Sequence, residues 1–505
     1  MNKLSRNTIA ALSAVADLQL PLESTFGLPE KVLQFGTGVL LRGLPDYFID
    51  KANRQGIFNG RIVVVKSTDA GDSSAFDTQD GLYTLCERGI FEGEEVVSNT
   101  VNSSISRVLS AKSQWDAILE CAKNPEMTII ISNTTEVGIQ LVQDDIHSNP
   151  PVSYPGKLLA FLNARYEAFN GSKDHGMVIV PTELIVGNGK KLEGIVLELA
   201  HLNGMSSEFI DWLESSNVFC NSLVDRIVPG KPDATTKAAI EAQLGYQDDL
   251  LTMSEVYRLW AIEGDEKVKE TLSFQLVDDG VIIEPDIDLY RELKLRLLNG
   301  THTLSCGLAF LAGFVTVKEA MGDESMSSFI SNLMLAELAP AIPYKVQEIV
   351  AERFGRQVLD RFRNQSLDHQ WLSITVQFSS KMKMRNVPTL LNYYQTLACT
   401  PQYISVGFAA YLLFLKAVKE EGGKYYGEFN GESYVIQDDK AAYFFEKWKT
   451  LSSDELVDVV LADKTLWEAD LTQLAGFAEA VKVQLQLMLA NGVYHTLKAL
   501  IPVTA

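Results

Sequence analysis

The sequence predicts an α/β protein: a doubly wound parallel sheet in the N-terminal part, followed by a mainly α-helical C-terminal domain. Three observations carry that reading. Short β-branched or apolar runs at 31–35, 61–65, 127–131 and 177–180 alternate with helical periodicity. The first two runs enclose a glycine turn and a helix within about 35 residues, the span of a βαβ unit. Beyond residue 270 the strand signal fades, apart from an extended stretch at 274–283, and helical periodicity is broken only at Gly322, Pro340, Pro343, Pro388, Pro401 and Gly422-Gly423.

Each element has a local cause. Val32, Leu33 and Phe35 make a buried strand that Gly36-Thr37-Gly38 ends, and an apolar-periodic segment then runs to Gly56. The run 61–65 is almost wholly β-branched, as a strand covered on both faces requires. A helix around 115–122 leads into the strand 127–131, and a helix around 157–169 leads into 177–180. At 505 residues the chain exceeds one core, so the change of texture divides it into domains at 1–270 and 271–505.

Composition excludes several functions. Lys plus Arg number 44 against 65 Asp plus Glu, a net charge of −21. Such a surface repels a phosphate backbone and anionic lipid, so neither nucleic acid nor membrane is an expected partner, and an anionic substrate needs a local basic pocket. The five cysteines are scattered without a Cys-x-x-Cys pair, which reads as free thiols in a reducing cytosol rather than a disulfide scaffold or a zinc site. His147, His175, His201 and His495 have no ligand-spaced partner and are assigned no function. Ser13 and Asp17 interrupt the apolar block a signal peptide needs, and the longest apolar runs fall short of the roughly 20 residues of a membrane span. A cytoplasmic protein is expected; the oligomeric state stays open, a monomer being sufficient.

The most informative spacing is Lys294-Leu-Arg-Leu-Leu-Asn299-Gly-Thr-His302. At about 100° per residue on an α-helix, His302 lies near 80° and Asn299 near 140° from Lys294. One cleft can then receive a lysine, an amide and an imidazole, a set that shuttles a proton, polarises a carbonyl oxygen and holds a hydroxyl without a metal. The competing reading is an amphipathic helix with a solvated lysine, its stripe formed by Leu293, Leu297, Leu298 and Leu304.

Other candidates lie at strand ends. Gly36 and Gly38 follow a strand and open a helix, the setting in which backbone N–H groups cradle a pyrophosphate, with Arg42 adding charge. The third glycine of the usual fingerprint falls at Leu41, so a plain tight turn competes. Lys66 holds the strand-end place where an acidic residue meets the NAD ribose, and Asp69 follows. Asn133, Thr134 and Glu136 sit beyond the 127–131 strand, either as pocket groups or as helix caps. Arg361, Arg363, His369, Lys381, Lys383 and Arg385 concentrate cations in an acidic chain, which suggests a carboxylate site against a solvated basic face.

Taken in order, Gln34-Phe35-Gly36-Thr37-Gly38 with Arg42, Gln79-Asp-Gly-Leu-Tyr-Thr84, Thr135-Glu136-Val-Gly138, Asn188-Gly189, Val224-Asp-Arg-Ile227, Trp260 with Ile262-Glu263, the Lys294–His302 run and the 361–388 block span nearly the whole chain. The sequence thereby resembles the polyol-specific long-chain dehydrogenase family, also called the mannitol dehydrogenase family. The resemblance implies a Rossmann-type N-terminal domain, a helical C-terminal domain and metal-independent hydride transfer with NAD. It implies Lys294 as general acid/base, Asn299 as donor to the reacting oxygen and His302 as a substrate-hydroxyl contact. Phe35, Gly36, Thr37, Gly38, Arg42, Asp69, Asn133 and Thr134 are the expected cofactor residues. Glu136, Asn188, His369, Lys381 and Arg385 are the expected substrate residues. Leu184 stands where the mannitol branch carries an oxyanion-binding asparagine, and with the segments at 124–127, 132–136 and 151–155 it points to the family's uronate branch and a sugar-acid substrate. A ketose or polyol substrate and a catalytically idle sugar-acid sensor remain the alternatives.

Overall fold

The computed structural model describes residues 1–500 apart from 10, 11, 13, 14, 16, 68–72, 135–137 and 398. It divides into two compact units, one of Met1–Arg88 with Glu95–Ile287, the other of Gly89–Glu94 with Asp288–Ala505.

At the centre of the first unit lie six parallel strands: β1 (Glu30–Phe35), β2 (Arg61–Lys66), β3 (Ile105–Ser110), β4 (Ile129–Ser132), β5 (Val178–Pro181) and β6 (Val218–Phe219). Their spatial order is β3-β2-β1-β4-β5-β6. The chain winds outward from β1 and then returns to its other side, so the order reverses between β1 and β4, the point at which open α/β sheets bind ligands. Alternate side chains serve opposite faces: Leu33, Phe35, Val63, Val65 and Ile130 join one core with Trp115, Phe161 and Trp212. Val32, Ile62, Val64, Ile129 and Ile131 join the other with Phe48, Trp260 and Phe274. Burial on both faces is why these strands read as continuous apolar runs. β3 and β6 carry no such run: Ser106 and Arg107 interrupt the first, and the second has only two residues.

Among the described residues, two smaller sheets complete this unit, one of four strands and one of three. The expected extended stretch at 274–283 splits in two. Ser273–Val277 forms a helical turn, because Phe274 is buried 5.5 Å from Phe58 and 5.6 Å from Trp260, ring centre to ring centre. Val281–Glu284 then pairs in parallel with Leu259–Glu263, and these hydrogen bonds carry the first unit to Ile287, past the expected boundary at 270.

The second unit is mainly helical. Gln402–Phe414 is apolar all round and packs against Thr301–Leu311 and Phe477–Asn491. A three-stranded antiparallel sheet, Lys419–Glu421, Lys424–Phe429 and Glu432–Ile436, stands where only a break at Gly422-Gly423 was expected. Its two turns, Gly422-Gly423 and Asn430-Gly431, have positive φ at both residues, the conformation that lets two residues close a hairpin between twisted strands. Among the described residues, three π turns interrupt the helices of this unit: Lys294–Gly300, Leu333–Leu338 and Met382–Asn386.

Candidate active site

In the first unit the glycine turn closes β1 at the switch point. Gly36 has φ +128°, and a Cβ there would stand 2.9 Å from Leu41 Cδ1 and 3.0 Å from the Asn133 carbonyl oxygen, so only glycine fits. The Gly36 N–H is tied to the Val65 carbonyl at 3.0 Å, and the Asn133 N–H to the Phe35 carbonyl at 3.1 Å. Gly38 is exposed, and nothing lies within 4 Å of where its Cβ would be, which leaves room for a ligand to approach the backbone where Val39–Gly43 begins its helical turn. These residues fit the diphosphate of a dinucleotide. Thr37 is half-buried beside them. The Phe35 ring is buried in the core, 5.1 Å from that of Tyr154, so only its backbone faces the turn.

A carboxylate the sequence reading passed over organises the next loop. Glu183, buried at the end of β5, accepts from the Thr134 N–H at 2.8 Å, the Thr134 hydroxyl at 3.0 Å and the Ser132 hydroxyl at 3.2 Å. Asn133 donates to the Thr182 hydroxyl at 2.9 Å. Asn133 and Thr134 are thus held at the carboxyl edge of the sheet beside Gly36. The Glu183 signal lay in a buried Pro-Thr-Glu strand end, and nothing in the sequence distinguished it from an exposed carboxylate.

Two expected ligand contacts are engaged inside the first unit instead. Asn188 is fully buried; its amide nitrogen donates to the carbonyls of Pro181, Glu183 and Ser222, and its oxygen accepts from the N–H groups of Gly189 and Ser222. It splints β5 to the helix that follows, and no polar atom is left for a substrate. Arg42 donates to the Leu250 carbonyl at 2.6 Å and lies over the rings of Phe76 and Tyr83, so its charge serves the interior rather than a pyrophosphate. Asp69 and Glu136 lie outside the described residues.

In the second unit, Lys294 and Asn299 stand on a π turn rather than on the α-helix assumed from spacing. Hydrogen bonds from i to i+5 stack residues five apart, as i to i+4 bonds stack residues four apart in an α-helix. Asn299 therefore comes under Lys294, and His302, back in α-helix, flanks the pair. At roughly 80° per residue in the π turn the three occupy an arc of about 80–90°, narrower than the α-helical spacing allows.

The His302 ring is buried, stacked on Phe362 with centres 4.1 Å apart, and edge-on to His369 at 5.1 Å and Trp371 at 6.0 Å. Burial first, then the charges of His369, Arg361, Arg385 and Lys381, hold its pKa well below the usual imidazole value, so the ring is neutral at physiological pH. Its Nε2 has no hydrogen-bond partner among the described residues. In either tautomer that atom can serve a hydroxyl, which both donates and accepts.

The cations converge on the same ring. Arg385 donates to the hydroxyl of Thr303, the residue next to His302, at 3.0 Å. Lys381 spends one donor on the Ile374 carbonyl at 3.0 Å, and burial, then Arg385, lower its pKa. His369 is lowered by its surroundings and by Lys381. Lys383 and Arg363 belong elsewhere, paired with Glu468 at 2.7 Å and Asp360 at 3.5 Å. What remains is a neutral imidazole within the electrostatic reach of Arg361, Lys381 and Arg385, a set whose charge and donors could suit an anion beside a hydroxyl.

Comparison with known proteins accords with this architecture. The Mannitol dehydrogenase Rossmann domain matches residues 30–275, and the Mannitol dehydrogenase C-terminal domain matches 286–489. An altronate oxidoreductase of Halalkalibacterium halodurans is 37% identical over 484 residues, covering 94% of both chains. The chain belongs to the mannitol dehydrogenase family. A second relative in the family, the altronate oxidoreductase of Shigella flexneri, is 38% identical over 94% of this chain and 97% of its own. Among solved structures, the mannitol 2-dehydrogenase of Pseudomonas fluorescens, a ternary complex with NAD and D-mannitol, superposes with a TM-score of 0.65 at 24% identity over 99% of each chain. A D-sorbitol dehydrogenase superposes with a TM-score of 0.73 at 21% identity, over 98% of this chain and all of that one. These likenesses establish the fold that the strand order shows, a Rossmann-type parallel sheet in one unit and helices in the other.

Proposed function

We propose that this chain is an NAD-dependent oxidoreductase that reduces a keto-uronate, tagaturonate, to altronate, acting on a soluble sugar acid in the cytoplasm. Both altronate oxidoreductases match it over almost their full length. The observation that carries the substrate class is the cation cluster around neutral His302, set in a chain of net charge −21. Gly36, Gly38, Asn133 and Thr134 of the first unit would hold NADH, whose chemistry when bound is hydride donation to a ketone carbon.

The chain's own groups do the rest. The Lys294 ammonium donates its proton to the oxygen that becomes the alcohol, so that ketone, NADH and H⁺ would balance to alcohol and NAD⁺, and in the reverse direction the amine takes the proton back. The Asn299 amide, stacked under Lys294, donates to the same oxygen as charge develops on it. His302 Nε2 holds a neighbouring hydroxyl. Lys381 and Arg385 bind the carboxylate, Arg through its fork and Lys as a point charge. With the carboxylate at one end and the carbonyl at the other, the sugar chain is fixed in one orientation.

Three assays test the reading. NADH oxidation is measured with tagaturonate, fructuronate and fructose; tagaturonate is expected to give the highest kcat/KM, and a preference for fructuronate or fructose moves the substrate. Lys294→Ala should abolish most turnover while NADH still binds, and full activity in that variant would falsify the acid/base role. Arg385→Ala should weaken keto-uronate turnover by on the order of 10²-fold through loss of a charge-assisted pair.

A further inference from the structure

We infer that Arg296 is a positioning residue that fixes the π turn bearing Lys294 against the π turn bearing Arg385, and so sets the spacing between proton donor and carboxylate-binding cation. The inference rests on the roles proposed above for those two residues. It begins with Pro388. Proline has no N–H, so the Met384 carbonyl four residues before it has no α-helical donor. The chain widens into the Met382–Asn386 π turn just ahead of this proline.

Arg296 supplies the missing donor from the other π turn. Its Nη1 donates to the Met384 carbonyl at 2.7 Å and to the Arg385 carbonyl at 2.9 Å. Its Nε is held by the Glu292 carboxylate at 2.8 Å, so a buried side chain is anchored at its root and forked at its tip. Asn386 answers in the opposite direction, its amide donating to the Gly300 carbonyl at 3.2 Å. Arg385 adds the bond to Thr303. Each π turn thus carries residues assigned above to the substrate, Lys294 and Asn299 on one and Arg385 on the other, and the two are tied through the main-chain carbonyls of Met384, Arg385 and Gly300.

Guanidinium chemistry is specific to the task. A lysine at 296 can reach one carbonyl, but it cannot keep the fork to Glu292 and bridge both carbonyls at once. If the latch sets the register, loosening it misplaces Arg385 relative to Lys294, and a misplacement of about 1 Å can cost on the order of 10²-fold in rate. A brace that merely supports the fold would act independently of Arg385.

A double-mutant cycle in the full-length protein separates these roles. Arg296→Met, Arg296→Lys, Arg385→Ala and the Arg296→Met/Arg385→Ala double variant are assayed for kcat and KM with NADH and tagaturonate, alongside thermal melting. Arg296→Met is expected to lose on the order of 10²-fold in kcat/KM, Arg296→Lys about tenfold, with the folded state kept. Once Arg385 is gone, removal of Arg296 should cost little more. Additive losses, unaltered kinetics in Arg296→Met or in Arg385→Ala, or failure of both Arg296 variants to fold would overturn the inference. Should wild-type protein prefer another ketone, the substrate reading fails, and the cycle run on that ketone still reads the latch.

Discussion

Glu337 does for a distant helix what no neighbouring residue can. Gln402–Phe414 begins after Pro401, which has no side-chain donor or acceptor to cap it, and the Glu337 carboxylate accepts from the N–H groups of Gln402, Tyr403 and Ile404 at 2.6, 2.9 and 2.7 Å. A buried acid is tolerated there because three donors and the positive end of the helix replace its water. Glu337→Gln turns an NH₂ donor toward those N–H groups and should cost about 2–3 kcal/mol, read as a drop in the urea midpoint of the second unit. An unchanged midpoint would mean that the cap contributes nothing. At this scale the sequence showed residue types but not partners. The spacing of Lys294, Asn299 and His302 is local and could be read from the sequence, whereas the hydrogen bonds of Asn188 could not, because Ser222, which occupies its amide, is far away in sequence.

Elements were legible where their pattern was self-contained. β1, β2, β4 and β5 announced themselves as apolar runs, while β3 paired without one because its partner strand supplied the register. Asn430-Gly431 is the kind of dipeptide that closes a hairpin, yet the polar alternation around it hid a sheet of mostly exposed residues. The π turn was not legible: the spacing of Lys294 and Asn299 assumes a helix type, and the i+5 alternative depends on packing against Met382–Asn386. The glycine turn is the element whose sequence and geometry agree most closely, and it yields a direct expectation. Gly36→Ala places a Cβ against the Asn133 carbonyl at 3.0 Å with φ at +128°, so the turn must open. NADH affinity, followed by fluorescence titration, should fall about tenfold or more while melting of the second unit stays put. Wild-type affinity in that variant would remove the turn from the cofactor site.

Across the molecule, buried carboxyls give stability a pH dependence whose sign follows from their surroundings. Asp46 is fully buried, and neither of its oxygens has a well-formed hydrogen bond among the described residues; burial raises its pKa to about 8, with nearby Asp50 adding to the rise, and the pull of Gln34, Arg42 and Tyr83 is too weak to offset it. Burial raises Glu183 and Asp248 of the same unit in the same direction. Between the ordinary carboxyl value and about pH 8 the folded Asp46 keeps a proton that the unfolded chain has released, so each unit of rising pH removes at most about 1.4 kcal/mol. Asp278 works the other way, its pKa lowered by Arg258 and Lys51 against its own burial, but that contribution is complete well below neutrality. His302 and His369, lowered in the second unit, subtract stability only below the usual imidazole range. From pH 6.5 to 8, then, the calorimetric transition of the first unit should move down by about 2–4 °C per pH unit. Asp46→Asn keeps the shape and removes the proton equilibrium, so its transition should be flatter over that window and higher than wild type at pH 8. A variant with the wild-type slope would show that Asp46 is ionised in the folded protein and that the pull of Gln34, Arg42 and Tyr83 outweighs its burial.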